Sequence, residues 1–413
     1  MRMGTMRMGM QTVYKLALSA TIFTVLFTCG VLHPSTATAT TYYVATTGND
    51  ANPGTQAQPF RTVAKGLSSL TAGDTLYLRG GTYSEGLNSN YQTIPTGTSW
   101  SNTVRIASAP GETAILKPNS GQVLNLTAAY IQYIIFENLV IDATFANEAV
   151  SLLYLHHVRF TGGELRNSIH QGFHAAAGAH HIEVLNMKVH HNGTNAFFDH
   201  GFYYSDVDDV LIEGCEIYNN QGYGVHFYNG GGTRGNRNIV RNNRIYSNGI
   251  SSGAGGLTFG DQNDALMYNN LVYNNYKGMD VNKNVNNTKV YNNTFYNNSP
   301  SAGIEVSSSS TGAIIKNNIV YQNGSAIIDN GIGTVMLNNL TTDPKFVAPS
   351  TANFLLQSTS QAIDAGIALS EISADYDGIP RPQGSSYDIG AYEYHVSSQV
   401  PTPKNLKIIS TAP

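Results

Sequence analysis

The chain has 413 residues, of which only 12% are charged, with a formal net charge of −4, 41 Gly, 25 Tyr and two Cys. Nothing in that balance provides the basic stripe that nucleic acid requires, although a local patch would still suit an anionic polysaccharide. Charge density is low, but Val, Ile and Tyr recur periodically, which argues against disorder.

Arg2, Arg7 and Lys15 precede an apolar run from Leu16 to Leu32, and Ala37-Thr38-Ala39 supplies small residues for cleavage. Residues 1–39 therefore read as a signal peptide, and the protein as secreted or held at the cell surface. The run is short for a membrane span and is diluted by Ser, Thr, Cys and Gly, so no stable membrane insertion is expected. Loss of the leader leaves only Cys215, so no internal disulfide forms and packing has to supply stability.

Residues 40–90 begin with a strand around Tyr42-Tyr43-Val44 and a turn at Gly48-Asn49-Asp50-Ala51-Asn52-Pro53-Gly54. A short helix is expected over Thr62–Leu70, followed by a strand after Gly73-Asp74. In a stack of strands the first layer exposes an apolar end, which such a helix would cover.

Residues 91–340 read as repeated coils, and from Ile182 to Leu340 one phrase keeps returning. Its anchors are Asn186, Cys215, Asn243, Asn270, Asn293, Asn318 and Asn339, at steps of 29, 28, 27, 23, 25 and 21, with weaker copies at Asn138 and Gly163. That period belongs to a solenoid. Its apolar runs are short and alternating, lack the i, i+3, i+4 pattern of a helix and break at Gly and Asn. A leucine-rich frame is absent. The economical reading is a parallel β-helix, with each strand pairing with its equivalent one coil along, about 4.8 Å away. In such a stack a buried Asn amide donates to one neighbour and accepts from the other. Cys215 and Gly163 would interrupt that ladder. Asn-Asn is also an ordinary turn signal.

The segment from Tyr42 to Tyr83 resembles the N-terminal cap of secreted right-handed β-helix proteins of the pectate-lyase-like superfamily, particularly the group with calcium-dependent polysaccharide lyases. Asp343-Pro344-Lys345-Phe346, Asp375-Tyr376-Asp377-Gly378 and Asp388-Ile389-Gly390 resemble the segment that closes such solenoids. The resemblance implies an all-β, right-handed parallel β-helix with a short N-terminal capping helix, a closing segment over 341–394 and a tail or linker over 395–413. It also implies a carbohydrate-active, monomeric protein.

Each coil contains a Gly-led strand, seen at Gly172, Gly201, Gly224, Gly256, Gly278 and Gly303. Alternation turns Phe173, Phe202, Val225, Leu257, Met279 and Ile304 inward. It turns His174, Tyr203, His226, Thr258, Asp280 and Glu305 outward in one column. A second outward column holds Ser205, Tyr228, Gly260, Asn282 and Ser307. Two imidazoles, two carboxylates, phenols and a lysine on one face suit a saccharide groove, because aromatic faces stack on sugars and carboxylates bind hydroxyls or calcium. A solvated polar face is the competing reading.

A lyase acting on a uronate needs a base and a cation. Tyr203, His226 and Lys283 are the candidate bases. His174, His200, Tyr228, Arg234 and Lys277 would bind substrate, and Asp261, Asp280 and Glu305 would hold Ca2+. The favoured activity is calcium-assisted β-elimination on an acidic polysaccharide. One alternative is a glycoside hydrolase using Asp280 and Glu305, and another is a non-catalytic carbohydrate-binding solenoid. The sequence motifs associated with β-helix polygalacturonases and alginate epimerases are not assembled here. Zinc at His174, His200 and His226 lacks a recognisable spacing. Tandem pairs such as His190-His191 are expected to face opposite ways on a strand and so to share no site.

Overall fold

The computed structural model describes residues 39–195, 197–229, 235–251 and 253–395. The signal-peptide and tail readings, and Arg234, lie outside the described residues. Three parallel sheets wind as a solenoid, visited in the same order on each coil. Sheet A has 12 strands, from Thr41–Val44 to Val335–Leu337. Sheet B has 10, from Gly81–Tyr83 to Ile319–Tyr321, and sheet C has 10, from Leu87–Asn88 to Ser325–Asp329. The fold is all-β, as the alternation requires, and is a right-handed β-helix.

Inward residues from all three sheets fill one continuous core. Aromatic rings stack along the axis, with Phe136 over Phe160 at 4.8 Å and Tyr204 over Phe227 at 4.8 Å. The single α-helix among the described residues, Val63–Leu67, is shorter than expected. Thr62 caps it by accepting from the Lys65 N–H, and its Gly66 packs closely on Val44 and Leu76 of sheet A.

The asparagines divide their labour within each Asn-Asn pair. Asn269, Asn292 and Asn317 take left-handed turns at φ 52, 49 and 56. Their successors stack inside. Nδ2 of Asn243, Asn270, Asn293 and Asn318 donates in sequence to Oδ1 of Asn270, Asn293, Asn318 and Asn339, at 2.9–3.1 Å. A second ladder, not anticipated, runs at the other end of sheet B from Asn192 through Asn220, Asn248, Asn275 and Asn298 to Asn323. Cys215 ends the first ladder and gives only its backbone N–H to Asn243. Asn186 is corrected: it is a turn residue at φ 55, and Met187 occupies the ladder register, because Glu216 N–H bonds to the Met187 carbonyl.

Residues 341–394 run back along the flank. Phe346, Phe354, Leu356 and Ile389 pack on Leu271, Tyr273 and Ile319 of sheet B. A fully buried ion pair, Arg381–Glu393 at 2.6 Å, fixes this segment. Ile332, Val335, Met336 and Leu337 of the last coil stay exposed.

Candidate functional site

Sheet C carries the outward column as its alternation demands. His174, Tyr203, His226, Thr258, Asp280 and Glu305 are successive register partners. Their inward neighbours, from Phe173 to Ile304, are buried. The ladder continues beyond the strands through Tyr228, Gly260, Asn282 and Ser307.

A further column precedes the strands. Backbone hydrogen bonds align Glu148, Gln171, His200, Tyr223, Gly255, Lys277 and Ala302, each just before the small residue that opens its strand. Here lies Tyr223, which the outward alternation could not identify because it stands outside the strand. Aligning residues before each leading Gly would have found it, together with His200 and Lys277.

These columns meet in a cleft of about 240 Å³ lined by Tyr223, Lys277, Asp280, Val281, Asn282, Glu305 and Ser307. The Lys277 ammonium bridges two carboxylates, at 2.8 Å from Asp280 Oδ1 and 2.7 Å from Glu305 Oε2. Tyr223 reaches across an entire coil to donate its hydroxyl to Asp280 Oδ2 at 2.7 Å. It does so because the intervening coil is shallow. That coil presents Gly255, where a Cβ would sit 2.6 Å from the Lys277 carbonyl oxygen, and the buried Thr258.

Burial pushes the Asp280 carboxyl up, although Lys277 and Tyr223 oppose this. Burial works to lower Lys277, but Asp280 and Glu305 outweigh it and keep the amine charged. The Tyr223 phenol is pushed up by burial and by the Asp280 charge.

North of the cleft, toward the first coils, the imidazoles form a relay with fixed tautomers. His200 is buried, and its Nδ1 accepts the Tyr223 backbone N–H at 3.0 Å. Its proton must therefore sit on Nε2, which lies 2.6 Å from His226 Nδ1. His226 thus accepts at Nδ1 and carries its own proton on Nε2, as a donor rather than a base. Burial pushes its pKa down to about 3, so it stays neutral. Tyr203 lies half-buried against His226 and stacks on His174 at 5.5 Å. Burial raises its phenol, so Tyr203 too is a donor at neutral pH. Tyr228 lies 5.8 Å from the His226 ring. Glu148 is 3.6 Å from His174 Nδ1.

The other expected groups are more scattered. Lys283 is exposed past the end of its strand, next to Asn282. Asp261, Asp280 and Glu305 do not converge as a calcium triad. Among the described residues the only group of three His, Cys, Asp or Glu ligand atoms within 4.8 Å is His157, His180 and His181. Asp280 and Glu305 instead share Lys277. Asp261 is the carboxylate with capacity left. Its Oδ1 accepts from Asn284 at 3.0 Å, whereas its buried Oδ2 has no partner among the described residues. His174, His200 and His226 likewise form no such metal group.

The tandem histidines correct a further expectation. His157, His181 and His191 have φ 55, 53 and 55, so the alternation of an extended strand does not apply to them. Both rings of each pair turn to the same side, with Nδ1 atoms 2.7–2.8 Å apart.

Fold and cleft together define a right-handed β-helix protein with a polar, ionisable groove on one sheet. The chain belongs to the Pel9A-like right-handed β-helix family, whose model matches residues 42–318. Among solved structures, pectate lyase Pel9A is similar with a TM-score of 0.69 and 20% identity, covering 87% of this chain and 97% of that one. XylC, solved in complex with xylose, gives 0.52 and 10%, covering 85% and 98%. At such identities the likeness establishes the fold. No curated protein matches the chain.

Proposed function

We propose that this is an exported, monomeric polysaccharide lyase that cleaves an acidic polysaccharide by β-elimination in the sheet C cleft. The observation that carries the reading is the Lys277 amine held between Asp280 and Glu305. Family membership and the pectate lyase likeness support it, and the leader-like N-terminus supports export.

The chemistry follows from the groups in reach. β-Elimination removes the proton beside the uronate carboxylate and expels the oxygen on the next carbon. Tyr203 and His226 are donors in this geometry, so they suit binding of hydroxyls and the leaving oxygen. An amine is the strongest base in the cleft once neutral. Asp280 and Glu305 keep Lys277 charged, so it must first give a proton to solvent. The neutral Lys277 then takes the proton from carbon and becomes an ammonium again. The expelled oxygen takes its proton from the donor Tyr203 or His226, which solvent reprotonates.

Glu305 keeps the cleft anionic, so an acidic substrate needs a compensating cation. Calcium, when bound, would offset the substrate carboxylate; Asp261 has an unpartnered oxygen suited to such an ion but is not among the residues that line the cleft.

A second reading has its own observation. Through their shared Lys277, the Asp280 and Glu305 oxygens approach within the spacing of a retaining glycosidase pair, about 5–5.5 Å. Pectate, alginate and glycosaminoglycans, assayed with and without calcium, separate the two. Ultraviolet absorbance from an unsaturated product that vanishes in Lys277→Met supports the lyase. New reducing ends without that absorbance support the hydrolase. Neither signal on any polymer refutes both, leaving a binding role.

A further inference from the structure

A histidine cluster stands on sheet A, apart from the cleft. His156-His157 opens the strand His156–Thr161 and His180-His181 opens the next, His180–Leu185, with His156 and His180 in register. The left-handed second residue of each pair swings both rings outward. His157 then stacks on His181 at 4.5 Å and 13°, and His156 on His180 at 5.0 Å and 14°. Within each pair the two Nδ1 atoms are 2.8 Å apart. One nitrogen from each of His157, His180 and His181 lies within 4.8 Å of the others.

We propose that these histidines bind one divalent transition metal ion of the zinc, nickel and copper class, bridging two adjacent coils. Metal–imidazole bonds of about 2.0–2.1 Å place neighbouring ligand nitrogens about 2.9 Å apart in square or octahedral geometry and about 3.3 Å apart in a tetrahedron. The 2.8 Å separation within each pair is already that of two ligands on one ion. Ring rotation of exposed His181 closes the remaining gap between coils. His157, His180 and His181 are the core ligands, and His156 is within reach as a fourth.

The chemistry of the donors selects the ion. Neutral imidazole binds borderline metals, whereas calcium prefers oxygen. Asp209 lies 3.8 Å from His181 Nδ1 but is paired with Arg237 at 2.7 Å. It is held by Arg237 and is not counted among the ligands. Ligands drawn from two coils come together only in the folded chain, so binding stabilises the fold.

The chain supplies its own probe. Trp100 is the single tryptophan and its ring lies 6.0 Å from that of His157. Titrating the full chain with Ni2+ or Cu2+ should quench this fluorescence saturably at one equivalent. Zn2+ should compete with the quenching and raise Tm, and Ca2+ should do neither. His181→Gln, at an exposed position, should weaken binding by no less than the roughly tenfold that changes to outer partners cost. His157→Gln with His181→Gln should remove it, and His190→Gln with His191→Gln should leave it intact. Unsaturable quenching, or equal curves for the wild type and the His157→Gln/His181→Gln chain, would overturn the proposal. These readouts involve no residue of the cleft, so they stand or fall separately from lyase activity.

Discussion

Replacing Asn270 by alanine tests whether the ladder carries stability or only marks turns. In the folded chain Asn270 Oδ1 accepts both the backbone and side-chain N–H of Asn243, at 3.0 and 2.9 Å. Its Nδ2 donates to Asn293 Oδ1, to the Val240 carbonyl and to the Tyr268 carbonyl. Asn270 is fully buried, so water cannot replace these partners. Alanine strands the Asn243 backbone N–H and the Nδ2 hydrogen that Asn243 gives to this oxygen. Each buried orphan costs about 1–3 kcal/mol, so the loss should be about 2–6 kcal/mol. Asn339 makes the equivalent bonds at the last coil but is half-buried, and its replacement should cost only about 0.5–1.5 kcal/mol. Asn274 is an exposed left-handed turn residue at φ 55, so Asn274→Gly should change stability by no more than about 1 kcal/mol. Urea unfolding followed by fluorescence, with hydrogen exchange at the Asn243 amide, measures all three. A loss under about 1 kcal/mol for Asn270→Ala, or an equal loss at Asn339, would refute this account of the ladder.

Three other outcomes follow from buried charge and fixed tautomers. Elimination should climb with pH toward the alkaline side, because Lys277 must lose a proton and its pKa is raised; Lys277→Arg keeps the charge but should cost about 10²–10⁴ in rate, and a flat profile would contradict the role. His200 and His226 both titrate below the unfolded value, so the folded chain binds fewer protons and stability should fall as pH drops below about 6.5 toward 3. His226→Phe should make that acid slope shallower in pH-dependent urea midpoints, and an unchanged slope would count against neutral His226. Glu393→Leu should cost about 3–5 kcal/mol by leaving the Arg381 guanidinium buried and unpaired, whereas Arg381→Met with Glu393→Leu should recover most of the loss in thermal unfolding.

Much of this molecule could be read from its alternation. Period-two patterning put Phe173 and Phe202 inside and His174 and Tyr203 outside, and the register of sheet C agrees. Reading failed where the backbone leaves the extended region. Nothing in the letters His156-His157 specifies a left-handed second residue, so alternation assigns the two rings to opposite faces whereas they turn to the same one. The same switch misplaced Asn186, because a single Asn gives no sign of whether it is the turn member or the ladder member of a pair. Tyr223 escaped for a different reason. It precedes its strand, and its partner Asp280 lies two coils away, a contact that no local period encodes.

The cleft itself arises from an exception to the repeat. A perfect solenoid would present equal side chains on every coil and so a flat face. Here one coil offers Gly255, buried Thr258 and Gly260 where its neighbours offer Tyr223, Lys277 and the outward His226 and Asp280. Removing bulk from one layer opens the distance that Tyr223 spans. Asp280 then meets the phenol of Tyr223 from two coils away and the amine of Lys277 from its own coil. The strict ladder beneath makes that local gap affordable, since Asn243, Asn270 and Asn293 hold the coils in register regardless of what the outer face carries. A Gly255→Leu chain should therefore keep its fold only if the Lys277 segment shifts outward, and the first consequence should be loss of the Tyr223–Asp280 bond. In that chain the unfolding midpoint should drop, because the clash is with the Lys277 backbone, and polysaccharide cleavage should fall further than the lost stability accounts for. Cleavage preserved with Leu at 255 would show that the shallow coil is not what builds the site.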